Sequence, residues 1–245
     1  MKHIPRLHIE GTILQQNAAI TISRQQMHHI TRVLHLSVGD GVKLFHENYG
    51  EWDCSISNIE TCNVKCHRQI KSTENESRFA IIAAAIIHPT RMSILLEKIT
   101  ELGVFAIVPI ITKYTQYNSL NIRKAMQILV GACEQCGRIK IPQLHEVVTI
   151  EKFLQTYEAE YGKSPLIFGD ESLTCSVKMC DPLDQRNSVF LIGPEGGFSF
   201  QERQMILNHD FASSVKIGSN ILRSETAAMA FMSAWLCTAP ETSSR

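Results

Sequence analysis

Residues 79–111 read "FAIIAAAIIHPTRMSILLEKITELGVFAIVPII", and their order of textures decides the fold. The run from Phe79 to Ile87 is apolar throughout, the pattern of a strand covered on both faces. Met92, Leu95, Leu96, Ile99 and Leu102 then recur at helical spacing on one face, and Gly103 supplies a C-terminal stop. "VFAIVPII" is a second apolar strand. Strands alternating with helices predict an α/β domain with a mostly parallel sheet.

The alternation continues downstream. "NIRKAMQILVGACEQCG" is the next helix, and "SPLIFG", "SVFLIG" and "SSVKIG" are three short strands ending at Gly169, Gly193 and Gly218. Ligands of open α/β sheets bind at the carboxyl ends of strands, so the three glycine loops should converge on one site. "GPEGGFS", from Gly193 to Ser199, carries a carboxylate at its centre. It lacks the Gly-Lys-Ser/Thr of a phosphate-binding P-loop, and its glycine spacing is not that of a dinucleotide fingerprint. Glu195 would also repel a pyrophosphate. The ligand is therefore neutral or cationic here, as an adenosine bearing a sulfonium is; a purely structural turn is the alternative. "Ser199-Phe-Gln-Glu202" is a capping box that leads the loop into a helix. In "ILRSETA", Ser224 is the expected cap of the last helix and Glu225 suits its positive end. Arg223 gains nothing from that helix dipole, so its place favours an external anion or a carboxylate partner.

Upstream of Phe79 the texture differs. "RLHIEG", "AAITIS", "GVKLFHENYGEWDCSISNIE" and "CNVKCHRQI" alternate apolar and polar residues with glycine breaks, and "HENYGEW" signals a hairpin. Between them, Met27, Ile30, Val33 and Leu34 have helical spacing. These features predict a small β-barrel with one short helix over residues 1–72, a linker within Lys71–Arg78, and the α/β domain over residues 78–245.

The chain has 245 residues, 44% hydrophobic and 20% charged, with 24 basic and 24 acidic residues. A net charge of zero creates no global attraction to nucleic acid or membrane, so any polyanion site is a local patch. Residues 1–35 hold Lys2, Arg6, Arg24 and Arg32 against Glu10 alone, with five histidines. Such a strip suits phosphate-backbone contact, and a solvated surface is the alternative. The apolar runs are too short to span a bilayer and no export signal opens the chain, so the expected location is cytoplasmic. The eight cysteines read as reduced structural thiols, with no metal site expected; "CEQC" has no partner at zinc-finger spacing.

Taken together, "LIGPEGGFSFQE", "IGSNILRSETAAMAF", "ACEQCGR", "EKITELGV" and "HHITRVLHLSVGD" resemble the ribosomal RNA small-subunit methyltransferase E family of the SPOUT superfamily. The resemblance implies a PUA-like β-barrel followed by an α/β domain with a trefoil knot, acting as a homodimer. It implies S-adenosylmethionine as cofactor and methyl transfer to ring nitrogen 3 of a uridine in small-subunit ribosomal RNA. Carried over by position, the cofactor is held by Phe168, Gly169, Ile192, Gly193, Pro194, Glu195, Gly196, Gly197, Ile217, Gly218, Ile221, Leu222 and Thr226. Arg223 or Arg138 would stabilise the uridine anion, and Glu225 or Glu195 would accept its proton. Arg6, Arg24, Arg32 and Arg91 would contact RNA. The chain departs from the family pattern at Asn220, usually an arginine, and at His88, near which a basic residue is usual. The rival functions are a non-catalytic RNA-binding dimer and a nucleotide-dependent oxidoreductase.

Overall fold

The polar break after Lys71 separates two textures of sequence, and the chain forms two compact units: Met1–Asn75 with Val130–Ile141, and Glu76–Leu129 with Pro142–Arg245. The computed structural model describes residues 4–73, 78–170 and 187–238. The expected site residues all lie within these ranges. Lys2, Cys175 and Cys180 lie outside them.

The first unit is built on a five-stranded sheet. Its strands are β1 (Arg6–His8), β2 (Ala19–Thr21), β3 (Gly41–His46), β4 (Gly50–Asn58) and β5 (Asn63–Lys71), in the order β1-β3-β4-β5-β2. Only the β1–β3 pair is parallel. The alternating residues Val42, Leu44, Cys54, Ile56, Val64 and Cys66 point into one core. The expected hairpin turn lies between His46 and Gly50, whose φ of 73° is costless only for glycine. A side chain there would also run into the Lys71 carbonyl.

Helix α1 (Arg24–His28) is capped by Ser23, whose hydroxyl accepts the Gln26 N–H. It then loosens into a π-helical turn over His29–Val33, in which the Leu34 N–H reaches back to the His29 carbonyl. This corrects the expected apolar face. Met27 and Ile30 are buried, but the wider turn rotates Val33 (57% exposed) and Leu34 (37% exposed) outward.

The second unit is a parallel sheet in the order β12-β10-β11-β6-β7-β8, with β9 also paired to β7. Its strands are β6 (Phe79–Ala85), β7 (Ala106–Ile111), β8 (Gln143–Leu144), β9 (Val148–Thr149), β10 (Leu166–Gly169), β11 (Asn187–Ile192) and β12 (Ala212–Val215). The two apolar runs flanking α2 are central strands, and Ala80–Ala85 are buried without interruption. The helices are α2 (Pro89–Glu101), α3 (Ile122–Cys136, of which Val130–Cys136 belongs to the first unit), α4 (Ile150–Tyr161), α5 (Phe200–Leu207) and α6 (Ser224–Cys237). Met92, Leu95, Leu96 and Ile99 form the buried face of α2. The connection from β10 to β11 runs through residues 171–186, so the threading of a trefoil knot lies partly outside the described residues. Among the described residues no helix is long and apolar enough to cross a membrane. No group of three or more His, Cys, Asp or Glu among them is placed to hold a metal.

Candidate active site

Strands β12, β10 and β11 are parallel neighbours, so their carboxyl ends lie along one edge. The loops that leave them enclose a cavity of about 300 Å³. That volume suits a small organic ligand. Leu191, Phe198, Val215 and Ile217 supply apolar wall, while Asp170, Glu195, Lys216, Arg91 and Arg223 bring charge of both signs.

Each wall is fixed by local chemistry. Ser199 caps α5 and forms the expected capping box with Glu202. The Glu202 carboxylate is buried and also accepts the Lys113 backbone N–H at 2.6 Å, which ties the segment after β7 to the glycine loop. Within that loop, the Gly197 N–H closes a turn onto the Pro194 carbonyl at 2.9 Å. Asp170 is clamped by Arg203, whose Nε and Nη2 donate to Oδ2 at 2.9 and 2.7 Å.

The entry to α6 differs from expectation. Its N-cap is Arg223, with no side-chain capping bond, and Ser224 is the first helical residue. The Ser224 hydroxyl instead donates to the Gly193 carbonyl at 2.7 Å, joining the last two cavity loops. A serine one position inside the helix cannot reach the N–H groups ahead of it, so it is free to bond across the cleft.

Of the residues expected to hold a cofactor, Gly169, Ile192, Gly193, Pro194, Glu195, Gly197, Ile217, Ile221 and Leu222 line this cavity. Phe168 does not: its ring is buried in the core against Phe198. Gly196 faces the other way, and a Cβ built there would stand 3.1 Å from the Tyr114 Cβ. Gly218 and Thr226 are exposed and off the lining. Sequence reading missed Asp170, Leu191, Phe198, Val215, Lys216 and Ala227 as lining residues, while Ser219 and Asn220 fall inside the loop from Ile217 to Leu222 that it did assign to the cofactor. Asp170 and Lys216 adjoin the glycine-ended strands, which was the available signal.

The proposed chemical groups are not all gathered here. Arg223 is exposed and lines the cavity. Glu225 is 7% exposed, lies off the lining, and leaves its Oε2 without a hydrogen-bond partner. Arg138 belongs to the other compact unit. Arg91, expected to touch RNA, lines the cavity with its Nη1 3.6 Å from Glu195 Oε1.

Arg24 and Arg32 are exposed on the α1 segment. Arg6 is not part of that surface, and its expected role is corrected. Its Nε and Nη2 grip the Glu51 carboxylate at 2.9 and 3.3 Å, and it also donates to the carbonyls of Cys133, Glu134 and Arg138. Counting charge along the chain cannot register a partner that arrives only on folding. In the C-x-x-C, burial pushes the Cys133 thiol up to about 12, so it is not a thiolate at neutral pH.

The sequence matches the family model for an RNA methyltransferase domain over residues 74–236, and that for an RNA methyltransferase PUA domain over residues 22–65. A ribosomal RNA small subunit methyltransferase E from Buchnera aphidicola subsp. Schizaphis graminum is 30% identical over 243 residues, covering 95% of this chain and 96% of that protein. One from Rickettsia conorii is 29% identical over 232 residues, 91% of each. A putative methyltransferase from Legionella pneumophila, solved in complex with S-adenosylmethionine, superposes with a TM-score of 0.85 at 26% identity, over 96% of this chain and 98% of that one. A ribosomal RNA small subunit methyltransferase E from Neisseria gonorrhoeae, solved bound to S-adenosylmethionine, shares the fold with a TM-score of 0.82 at 24% identity over the same shares.

Proposed function

The chain belongs to the ribosomal RNA small-subunit methyltransferase E family, and from that premise we propose that it methylates ring nitrogen 3 of a uridine in small-subunit ribosomal RNA. The activity is S-adenosylmethionine-dependent methylation of ribosomal RNA; the uridine nitrogen is the finer reading. One observation carries the cofactor-dependent activity: a cavity at the carboxyl ends of three adjacent parallel strands, walled by apolar groups and by charges of both signs, with no phosphate-binding motif. The residues fit S-adenosylmethionine. Leu191, Phe198, Val215 and Ile217 suit a flat base, and the Asp170 carboxylate suits the cationic end of the ligand. When bound, that cofactor supplies an electrophilic methyl group.

The rest of the chemistry falls to the chain. An imide nitrogen holds its proton at neutral pH, so the site must remove the proton and stabilise the anion left behind. Arg223 is the proposed stabiliser because it lines the cavity, with Arg138 as the second candidate. For the proton, Glu195 is better placed than Glu225, which lies off the lining. Glu225 sits in the first turn of α6, where a carboxylate stabilises the helix end. The target base has to leave its stack to reach such a cleft. Arg24 and Arg32 are the proposed backbone contacts, and the working form is a homodimer.

Two measurements test the reading. Calorimetry should show S-adenosylmethionine binding and no NADH binding. Mass mapping of small-subunit ribosomal RNA should show one N3-methyluridine that disappears when the gene is deleted. A folded protein that gives no heat with S-adenosylmethionine would instead be an RNA-binding module.

A further inference from the structure

Arg91 stands in the first turn of α2, a turn with no acidic residue. A cation there opposes the helix dipole. Its partner, Glu195, is 3.6 Å away on the loop after β11. The two side chains are 33% and 36% exposed, and a pair that open adds little to stability. Helix energetics therefore give no reason for Arg91 to be where it is. What distinguishes the pair is its address, since both members line the cavity.

Glu195 is also well held. The Pro194–Gly197 turn fixes its backbone, Tyr114 packs against the neighbouring Gly196, and Glu202 anchors the loop's far end. The cavity thus presents a hydrogen-bond acceptor on a braced loop beside an arginine donor.

We propose that the Arg91–Glu195 pair reads the imide edge of the target uridine. The Glu195 carboxylate accepts the N3 proton, and the Arg91 guanidinium donates to a flanking carbonyl oxygen. This inference rests on the uridine reading above and assigns the part of the site that recognises it. The edge of uracil presents a carbonyl oxygen, an N–H and a second carbonyl oxygen, so an acceptor beside a donor matches two neighbouring positions. Cytosine places an unprotonated nitrogen at the same point, leaving the carboxylate opposed to a lone pair. A site built to bond an N–H strongly rejects an analogue that lacks it.

The step balances within the named groups. The N3–H bond breaks, its electron pair stays on nitrogen, and the proton moves to Glu195. That pair forms the bond to the methyl carbon, and the broken C–S pair remains on the departing thioether sulfur. Glu195 then releases its proton to water. Arg91 stays protonated and offsets charge spreading onto the carbonyl oxygen. The other charged groups lining the cavity are Asp170, held by Arg203, together with Lys216 and Arg223. Lys113, Tyr114 and Glu202 brace the same loop from outside the lining.

The test uses the full chain, S-adenosylmethionine, and small ribosomal subunits from cells lacking the enzyme. Single-turnover rates are measured against pH for the wild type, Glu195→Gln, Arg91→Ala and Arg91→Lys, with cofactor affinity measured by calorimetry and the product nucleoside by mass spectrometry. Glu195→Gln should slow methylation at neutral pH by roughly 10²–10⁴-fold. Its rate should then climb with pH more steeply than the wild type's, because only pre-ionised uridine reacts, while cofactor affinity holds. Arg91→Ala should slow the reaction, and Arg91→Lys should recover part of the loss. A Glu195→Gln enzyme with wild-type rate and pH profile overturns the inference, as does a loss of rate matched by an equal loss of cofactor affinity. A wild-type product other than N3-methyluridine would overturn the uridine reading itself, a separate failure visible without any variant.

Discussion

Arg6 is the residue whose role changes most between sequence and structure, and its replacement by alanine gives a measurable consequence. Its side chain is 11% exposed and that of Glu51 is 7% exposed. The guanidinium holds both carboxylate oxygens, donates to three backbone carbonyls between Cys133 and Arg138, and lies 4.4 Å from the centre of the Phe45 ring. Two of those carbonyls, of Cys133 and Glu134, end helix α3, where a cation also complements the dipole. Arg6→Ala leaves Glu51 as a buried charge without its main partner. Removing one member of a buried pair costs about 3–5 kcal/mol. Lys43, with its Nζ 3.9 Å from Glu51, can take up part of the charge, so the lower end of that range is expected.

The assay is urea unfolding of the full chain in a Trp235→Phe background, where the fluorescence comes from Trp52 in the first unit. Replacing both partners, as Arg6→Met with Glu51→Gln, should recover much of the loss, because no unpaired charge remains. If Arg6→Ala unfolds with wild-type stability but loses RNA affinity, the burial argument fails and Arg6 belongs to the RNA surface after all.

Three further outcomes are expected. Reversing Arg24 and Arg32 to glutamate should weaken ribosomal RNA binding and flatten its salt dependence by roughly 0.7–0.9 log units for each phosphate no longer neutralised, with S-adenosylmethionine affinity unchanged; a filter assay across salt concentrations reads both slopes. Gly196→Ala would bring a Cβ to 3.1 Å from the Cβ of the exposed Tyr114, which must shift by a few tenths of an ångström, so a loss of at most about 1 kcal/mol is expected. Because the clash is with the Tyr114 Cβ, Tyr114→Gly should relieve it in a thermal melt and Tyr114→Ala should not. Burial raises the Glu134 carboxyl above its ordinary 4.5, so its contribution to stability is present below that pH and is lost as the pH rises through the folded-state value. Glu134→Gln keeps an acceptor for the His8 N–H, so its stability relative to wild type should improve progressively above about pH 4.5 in paired urea titrations.

The sheet was legible because its signal is local. An unbroken apolar run can be satisfied only between two covered faces, and Phe79–Ala85 and Ala106–Ile111 are the strands that result. The glycine-ended strands likewise announced the edge where the cavity opens, since strand direction follows from the alternation with helices. Side-chain partners were not legible. Arg6 reads as surface charge until folding brings Glu51 beside it. Val33 and Leu34 read as core until the π-helical turn rotates them outward. Ser224 reads as a cap until the helix is seen to begin one residue earlier than its hydroxyl can serve. One class of local misfit nevertheless carried information about the site. Arg223 at the N-cap of α6 and Arg91 in the first turn of α2 both place a cation where a helix dipole disfavours it. They come from different elements far apart in sequence, yet both side chains line the same cavity. A helix start that tolerates an unfavourable charge is paying for something outside the helix, and two such starts sharing one cavity tie both arginines to what that cavity binds.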